Sequence, residues 1–328
     1  MMPHTPSTLF VTHVNTLRSV LPRVLDGDAS SVHDARVSTR RIRELLQLAE
    51  LSSQATDELR SRFRKTGRAL GRVRDADVRI GLLAELEGRA PSAAPWIVTV
   101  RHEQEADRTK LMRRLIKRLE QLAIANVLAH VIAGDSLFRR VLLRAFGSGR
   151  WRSALAQTIR ERGQVSAGAI EHATGVYFPN RLHAARIALK KLRYAMEIAA
   201  DVGHASVAPQ LRELKKSQDI LGDLHDRQAL LDELPALTSD DPNGVNALIP
   251  QVRLTLEAEA HDFHRRYLAR RERLLDIVRD AQAQRGSGNW GATSLVTAGA
   301  LALSGSVYVL RRGLVHEYQG RLPTLRRA

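Results

Sequence analysis

Apolar residues recur at spacings of three and four along most of the chain, and no sustained alternation of apolar and polar positions marks a β-strand. Leu, Ala, Arg, Glu and Gln, all good helix formers, fill the positions between them. The pattern predicts an all-α protein. Clusters of Gly, Pro, Ser, Asn and Asp interrupt it at 26–31, 87–95, 147–150, 174–180, 235–244 and 285–291. The helices between these breaks are expected to run roughly 15 to 35 residues. Ser30 or Ser31 and Asn180 are the expected N-caps of two of them, because a side-chain oxygen there satisfies an orphan amide.

Those two helices repeat one pattern. Residues 32–50 read VHDARVSTRRIRELLQLAE and residues 182–200 read LHAARIALKKLRYAMEIAA. The basic set His33, Arg36, Arg40, Arg41, Arg43 recurs as His183, Arg186, Lys190, Lys191, Arg193 at a constant offset of 150. At about 100° per residue, His33, Arg36, Arg40 and Arg43 share one stripe. Ala35, Ile42, Leu46 and Ala49 occupy the adjoining face, and Arg41 lies off the stripe. The second copy places His183, Arg186, Lys190 and Arg193 together, beside Leu182, Leu192, Met196 and Ala199, with Lys191 apart. Like charges at these spacings repel by a few tenths of a kcal/mol per pair. A face that only had to be soluble would intersperse acids, and neither stripe carries one. The pair of stripes therefore points to anion binding.

A second motif follows each stripe. FRKTGRALGRVRDADV (63–78) and LKKSQDILGDLHDRQA (214–229) align at an offset of 151. Leu70-Gly71 matches Leu221-Gly222, Asp75 matches Asp226, and Arg64-Lys65 matches Lys215-Lys216, whereas Arg68 is matched by Asp219. Arg64, Lys65, Arg72 and Arg74, with Lys215, Lys216 and His225, extend the candidate anion site. Gly71 and Gly222 are expected to admit a close helix contact or a local helix end, since Gly within a helix costs up to about 1 kcal/mol against Ala. Asp75 and Asp226 are expected to orient basic groups rather than to catalyse. Two motifs recurring in one order imply a tandem duplication, with halves at 1–147 and 148–285 and a tail at 286–328.

Composition sharpens the picture. The 328 residues carry a formal net charge of +16, distributed as +10 over residues 1–150, +2 over 151–285 and +4 over 286–328. Such a balance calls for a polyanionic partner. Nucleic acid is the alternative partner, but only 4% of residues are aromatic, little for stacking on single strands, and no zinc finger or RNA-recognition signature is present. The absence of cysteine excludes disulfides, thiolate metal sites and cysteine nucleophiles and fits a reducing cytoplasm. No His spacing near either stripe suits a metal, so neither metal nor cofactor is expected. The N-terminus lacks a secretory pattern. Residues 290–310 carry no charge, with Trp290 and Tyr308 near the ends and Arg311-Arg312 following. That length fits a membrane helix, with an apolar helix docked on the protein or on a partner, or a flexible tail, as the alternatives.

The two stripes and the LG..RD or LG..HD element after each resemble the conserved-histidine α-helical domain, the CHAD family, over about residues 5–285. The resemblance implies two four-helix bundles related by a pseudo-two-fold axis, with basic surfaces lining a central cavity. It also implies binding of inorganic polyphosphate and association with polyphosphate granules. On that basis His33, Arg36, Arg40, Arg43, His183, Arg186, Lys190 and Arg193 match the family's paired basic motifs, and Arg64, Lys65, Lys215 and Lys216 its following helix. Some members carry a triphosphate tunnel metalloenzyme domain with an ExExK strand. Here EAEAH at 257–261 lacks the Lys and lies in a helical context. The expectation is a binding protein rather than an enzyme, with an accessory role or weak phosphohydrolase activity as the alternative.

Overall fold

Helix starts in this protein follow local chemistry. Thr5 caps the first helix by accepting from the Thr8 amide, with Pro6 in the first turn. Asp28 caps the second, its carboxylate accepting from the Ser31 amide at 2.8 Å and from the Ser30 hydroxyl at 2.7 Å. The serines expected as caps are thus donors to the true cap two to three residues upstream. These bonds hold the Asp28 carboxyl down at about 2. Asn180 is not a cap either. Pro179 opens its helix behind Phe178, because a proline's fixed φ and missing amide suit the first turn.

The computed structural model describes residues 5–49, 54–133, 137–203, 207–237 and 245–283. Among them there are eleven α-helices and no strands, as the periodicity predicts. They are α1 (Pro6–Leu25), α2 (Ala29–Leu48), α3 (Gln54–Arg89), α4 (Ala94–Gln121), α5 (Ile124–Ile132), α6 (Leu137–Gly147), α7 (Arg150–His172), α8 (Pro179–Asp201), α9 (Ala208–Glu233), α10 (Ile249–Leu268) and α11 (Arg271–Ala283). Residues 290–310 lie outside the described residues. Among the described residues, no helix is long and apolar enough to cross a membrane.

Along the chain α1 packs on α2, α2 on α3 and α3 on α4. Further on, α7 packs on α8, α8 on α9 and α9 on α10, and α11 returns to α7. One core takes in Phe10, Val14, Val32, Ile42, Leu46, Phe63 and Leu70 together with Leu182, Leu189, Leu192, Ile198, Tyr267 and Leu274. A second gathers Leu83, Leu86, Trp96, Ile97, Leu230, Leu234, Val252 and Leu256. The 36-residue α3, about 54 Å long at 1.5 Å per residue, reaches from one core to the other.

Glycine is needed where α7 meets α11. A Cβ at Gly163 would stand 3.2 Å from the Val278 carbonyl oxygen and 3.3 Å from the Ala281 Cβ. At Gly71 and Gly222 the expectation fails: α3 and α9 run straight through them, and no neighbouring backbone approaches. Gly71 instead leaves room for the Arg36 side chain, whose Nε lies 3.7 Å from the Cβ position, and nothing lies within 4 Å at Gly222.

Candidate anion-binding site

The buried face of α2 contains Val32, Ala35, Thr39, Ile42, Leu45 and Leu46, and that of α8 contains Leu182, Ala185, Leu189, Leu192, Met196 and Ala199. Seating these faces in the core turns the two basic rows outward and toward each other. Three contacts fix their proximity. The Arg40 guanidinium on α2 stacks over the Tyr194 ring on α8, 3.8 Å from its centroid. Arg41 reaches across to Glu197 at 2.8 Å and to Asp201 at 3.6 Å. Arg162 on α7 donates to the Lys191 carbonyl and pairs with Glu44 on α2 at 2.7 Å.

The electrostatics accords with this proximity. The Lys190 ammonium is pushed down to about 8, first by burial, then by Arg186 on its own helix and by Arg36 and Arg40 on α2, with Asp75 of α3 opposing. An isolated surface lysine would not feel cations from another helix in this way. Burial is also the main force lowering Arg40, and its Nε has no hydrogen-bond partner among the described residues. The site thus concentrates positive charge that the protein itself only partly neutralises.

The histidines sit within this field. His183 Nδ1 lies 3.2 Å from His225 Nδ1, with ring centroids 4.6 Å apart. Burial, then Arg186, His183 and Lys190, push His225 down to about 4, with Asp232 opposing. His183 is lowered by burial, Arg186 and Lys190. His33 is lowered by burial and Arg74, then by Arg40 and Arg36, with Asp34 opposing. Arg74 and His225, which align in the repeated sequence motifs, each lie near the histidine of the row that precedes them. These imidazoles are neutral near pH 7 without an anion beside them.

The remaining candidates fall into two groups. Arg43 is exposed, its Nη1 3.8 Å from where a Gly67 Cβ would be, and Arg64, Lys65, Arg72, Lys215 and Lys216 are exposed on α3 and α9. None of these has an ion-pair partner among the described residues. Arg193 differs: it bonds Glu197 at 2.7 Å and lies 5.2 Å from the Tyr194 centroid, so its charge is largely satisfied within the protein. The acid that neutralises it falls one turn beyond the row, where inspection of the row alone does not look.

Asp75 lies 4.0 Å from Arg36, and burial raises Asp226, with Arg186 opposing and the charges of Asp223 and Asp75 adding to the rise. Sequence reasoning missed Tyr194, the platform under Arg40, although a tyrosine one turn after Lys190 in an aromatic-poor chain was a usable signal. It also missed His13 on α1, pushed down to about 4 by burial, Arg41 and Arg40, which nothing in its local sequence announces. The rows line neither of two cavities of about 360 and 290 Å³, which lie beside Trp151 and Tyr177. Among the described residues no cluster of three or more His, Asp or Glu is arranged to hold a metal ion.

The CHAD domain family model matches residues 9–235. The crystal structure of the CHAD domain from the plant Ricinus communis superposes with a TM-score of 0.55 at 20% identity, covering 87% of this chain and 94% of that one. PptA from Streptomyces chartreusis superposes with a TM-score of 0.53 at 15% identity, covering 85% and 99%. At these identities the likeness concerns the fold. No curated protein sequence matches the chain.

Proposed function

The chain belongs to the CHAD domain family, a family associated with polyphosphate binding, and from that premise we propose that it binds inorganic polyphosphate between the rows of α2 and α8. The observation that carries this reading is the contact between the two rows, with the Arg40 guanidinium of α2 3.8 Å from the Tyr194 ring centroid of α8, beside Lys190, which burial first and then Arg186, Arg36 and Arg40 disfavour as a cation. Such mutual repulsion is relieved by a ligand of high negative charge density. Polyphosphate offers about one charge per phosphate and no base to stack, which suits a site of arginine forks and lysine point charges with little free aromatic surface. Exposed Arg64, Lys65, Arg72, Lys215 and Lys216 extend the positive field along α3 and α9. The duplicated motif gives a linear ligand two flanking rows, and association with polyphosphate granules follows from the same affinity.

The role we propose is binding rather than turnover. Phosphoryl transfer usually relies on carboxylates holding a divalent ion. Here Asp75 and Asp226 lie among cations, and Glu197 is committed to Arg41 and Arg193.

The test is titration of a long polyphosphate into wild type and an Arg36→Ala/Arg186→Ala/Lys190→Ala variant. Arg40 is left in place because it packs on Tyr194. Three charge-assisted contacts at about 1.5 kcal/mol each predict a loss on the order of a thousandfold. Unchanged affinity, or DNA displacing polyphosphate at equal phosphate concentration, contradicts the reading. Incubation with Mg²⁺ or Mn²⁺ should leave chain length unchanged, and shortening abolished in the triple variant would make the site catalytic.

A further inference from the structure

We propose, resting on the reading above, that His183 and His225 form a proton-coupled latch. It is closed by an imidazole–imidazole hydrogen bond when no polyanion is bound. It opens, with protons taken from the buffer acid, when phosphate oxygens accept from both rings.

The geometry sets the proton count. At 3.2 Å between the two Nδ1 atoms, one ring donates Nδ1–H and the other accepts through its lone pair. The neutral pair therefore holds one N–H on each ring. A first added proton goes to the free Nε2 of the donor ring and leaves the contact intact. A second has only the acceptor's Nδ1, and two N–H groups would then face each other. The doubly charged pair must separate, and each Nδ1–H then needs another acceptor.

The surroundings bias the pair toward the closed form. From α8 it faces Arg186 and Lys190, and from α9 Asp232, with Asp226 adjacent in sequence to His225. Behind Lys190 stand Arg36 and Arg40 of α2 and Asp75 of α3. Burial and these cations hold both imidazoles below their ordinary value, and Asp232 is the acid that opposes this at His225. A phosphate chain laid over Arg186 and Lys190 reverses the field and supplies oxygen acceptors. The first half has no such device, because Arg74, a permanent cation, occupies the position matching His225.

Lys190 provides an internal control, since its own proton uptake on binding falls on the alkaline side, above about 8. The experiment is calorimetric titration of long-chain polyphosphate, whose terminal groups are few, in buffers of different ionisation enthalpy at pH 5.5 and pH 9. Wild type should take up protons at both. His225→Gln and His183→Gln should each take up measurably fewer protons than wild type at pH 5.5 and keep the uptake at pH 9. Each proton lost removes about a tenfold gain in affinity per pH unit across the acid window. His225→Arg, which copies the first half, should bind with a correspondingly flatter pH dependence. NMR titration of wild type gives a second readout, in which both imidazoles should move to higher pKa on binding. Acid-side uptake unchanged in the glutamine variants, or imidazoles that do not shift, overturns the latch alone. Absence of polyphosphate binding at every pH overturns the functional reading and the latch with it.

Discussion

Histidine is the residue on which solution conditions act most directly here. His13 and His225 are both pushed down to about 4, and His33, His183 and His264 are lowered. A histidine with a depressed folded value binds fewer protons than the unfolded chain between the two values. Its contribution to stability is complete above the unfolded value near 6.5 and is lost as pH falls toward about 4. Asp226, raised, works in the opposite sense, and Asp28, held at about 2, matters only below the usual carboxylate range. The melting temperature should therefore fall between pH 7 and pH 4.5. His13→Leu should make that fall shallower, as thermal melts at the two values would show. A wild-type melting temperature flat across this window would contradict the burial of charge-depressed histidines. The residue scale is also where the sequence misleads: in Arg193 and Glu197 the row's last cation and the acid that binds it are one turn apart.

At the scale of the helix, two glycines give opposite expectations for one substitution. Gly222 lies within α9 with nothing within 4 Å of a Cβ position, so Gly222→Ala should stabilise by up to about 1 kcal/mol through helix propensity alone. At Gly163 the added methyl meets the Val278 carbonyl oxygen and the Ala281 Cβ of α11, so Gly163→Ala should cost about 1–3 kcal/mol by overpacking. Denaturant melts distinguish the signs. Helix content and half of the helix boundaries were legible because Gly, Pro and capping residues mark them, as at Gly27 and Pro179, whereas those between α2 and α3, α5 and α6, and α8 and α9 fall outside the breaks read from the sequence. The break between α4 and α5 was not legible, since Leu122 and Ala123 carry no turn chemistry and Ala123 nevertheless takes a positive φ of 47°. The α10–α11 junction at Ala269 and Arg270 was hidden for the same reason.

Across the whole molecule, local pattern and tertiary placement divide the information. The stripes of α2 and α8 follow from helical periodicity and so could be read directly. That the stripes converge depends on α2 and α8 meeting, which the spacing within either helix does not encode. The contacts that accomplish it are Arg40 on Tyr194, Arg41 with Glu197 and Arg162 with Glu44. These ion pairs have side chains only 14–19% exposed, so losing one partner strands a largely desolvated charge. The same long-range dependence hid His13, whose importance comes from α2 lying against α1. The resulting site is a field of mutually repelling cations held in place by the hydrophobic cores beneath it.

The most direct test of that convergence is calorimetric titration of a short polyphosphate of defined length. It compares wild type with a variant lacking the α2 row (Arg36→Ala, Arg43→Ala) and one lacking the α8 row (Arg186→Ala, Lys190→Ala). Joint binding by both rows predicts one chain bound per protein, weakened in each variant and with a shallower salt dependence in each. Two independent binding events, one surviving at full affinity when either row is removed, would contradict it.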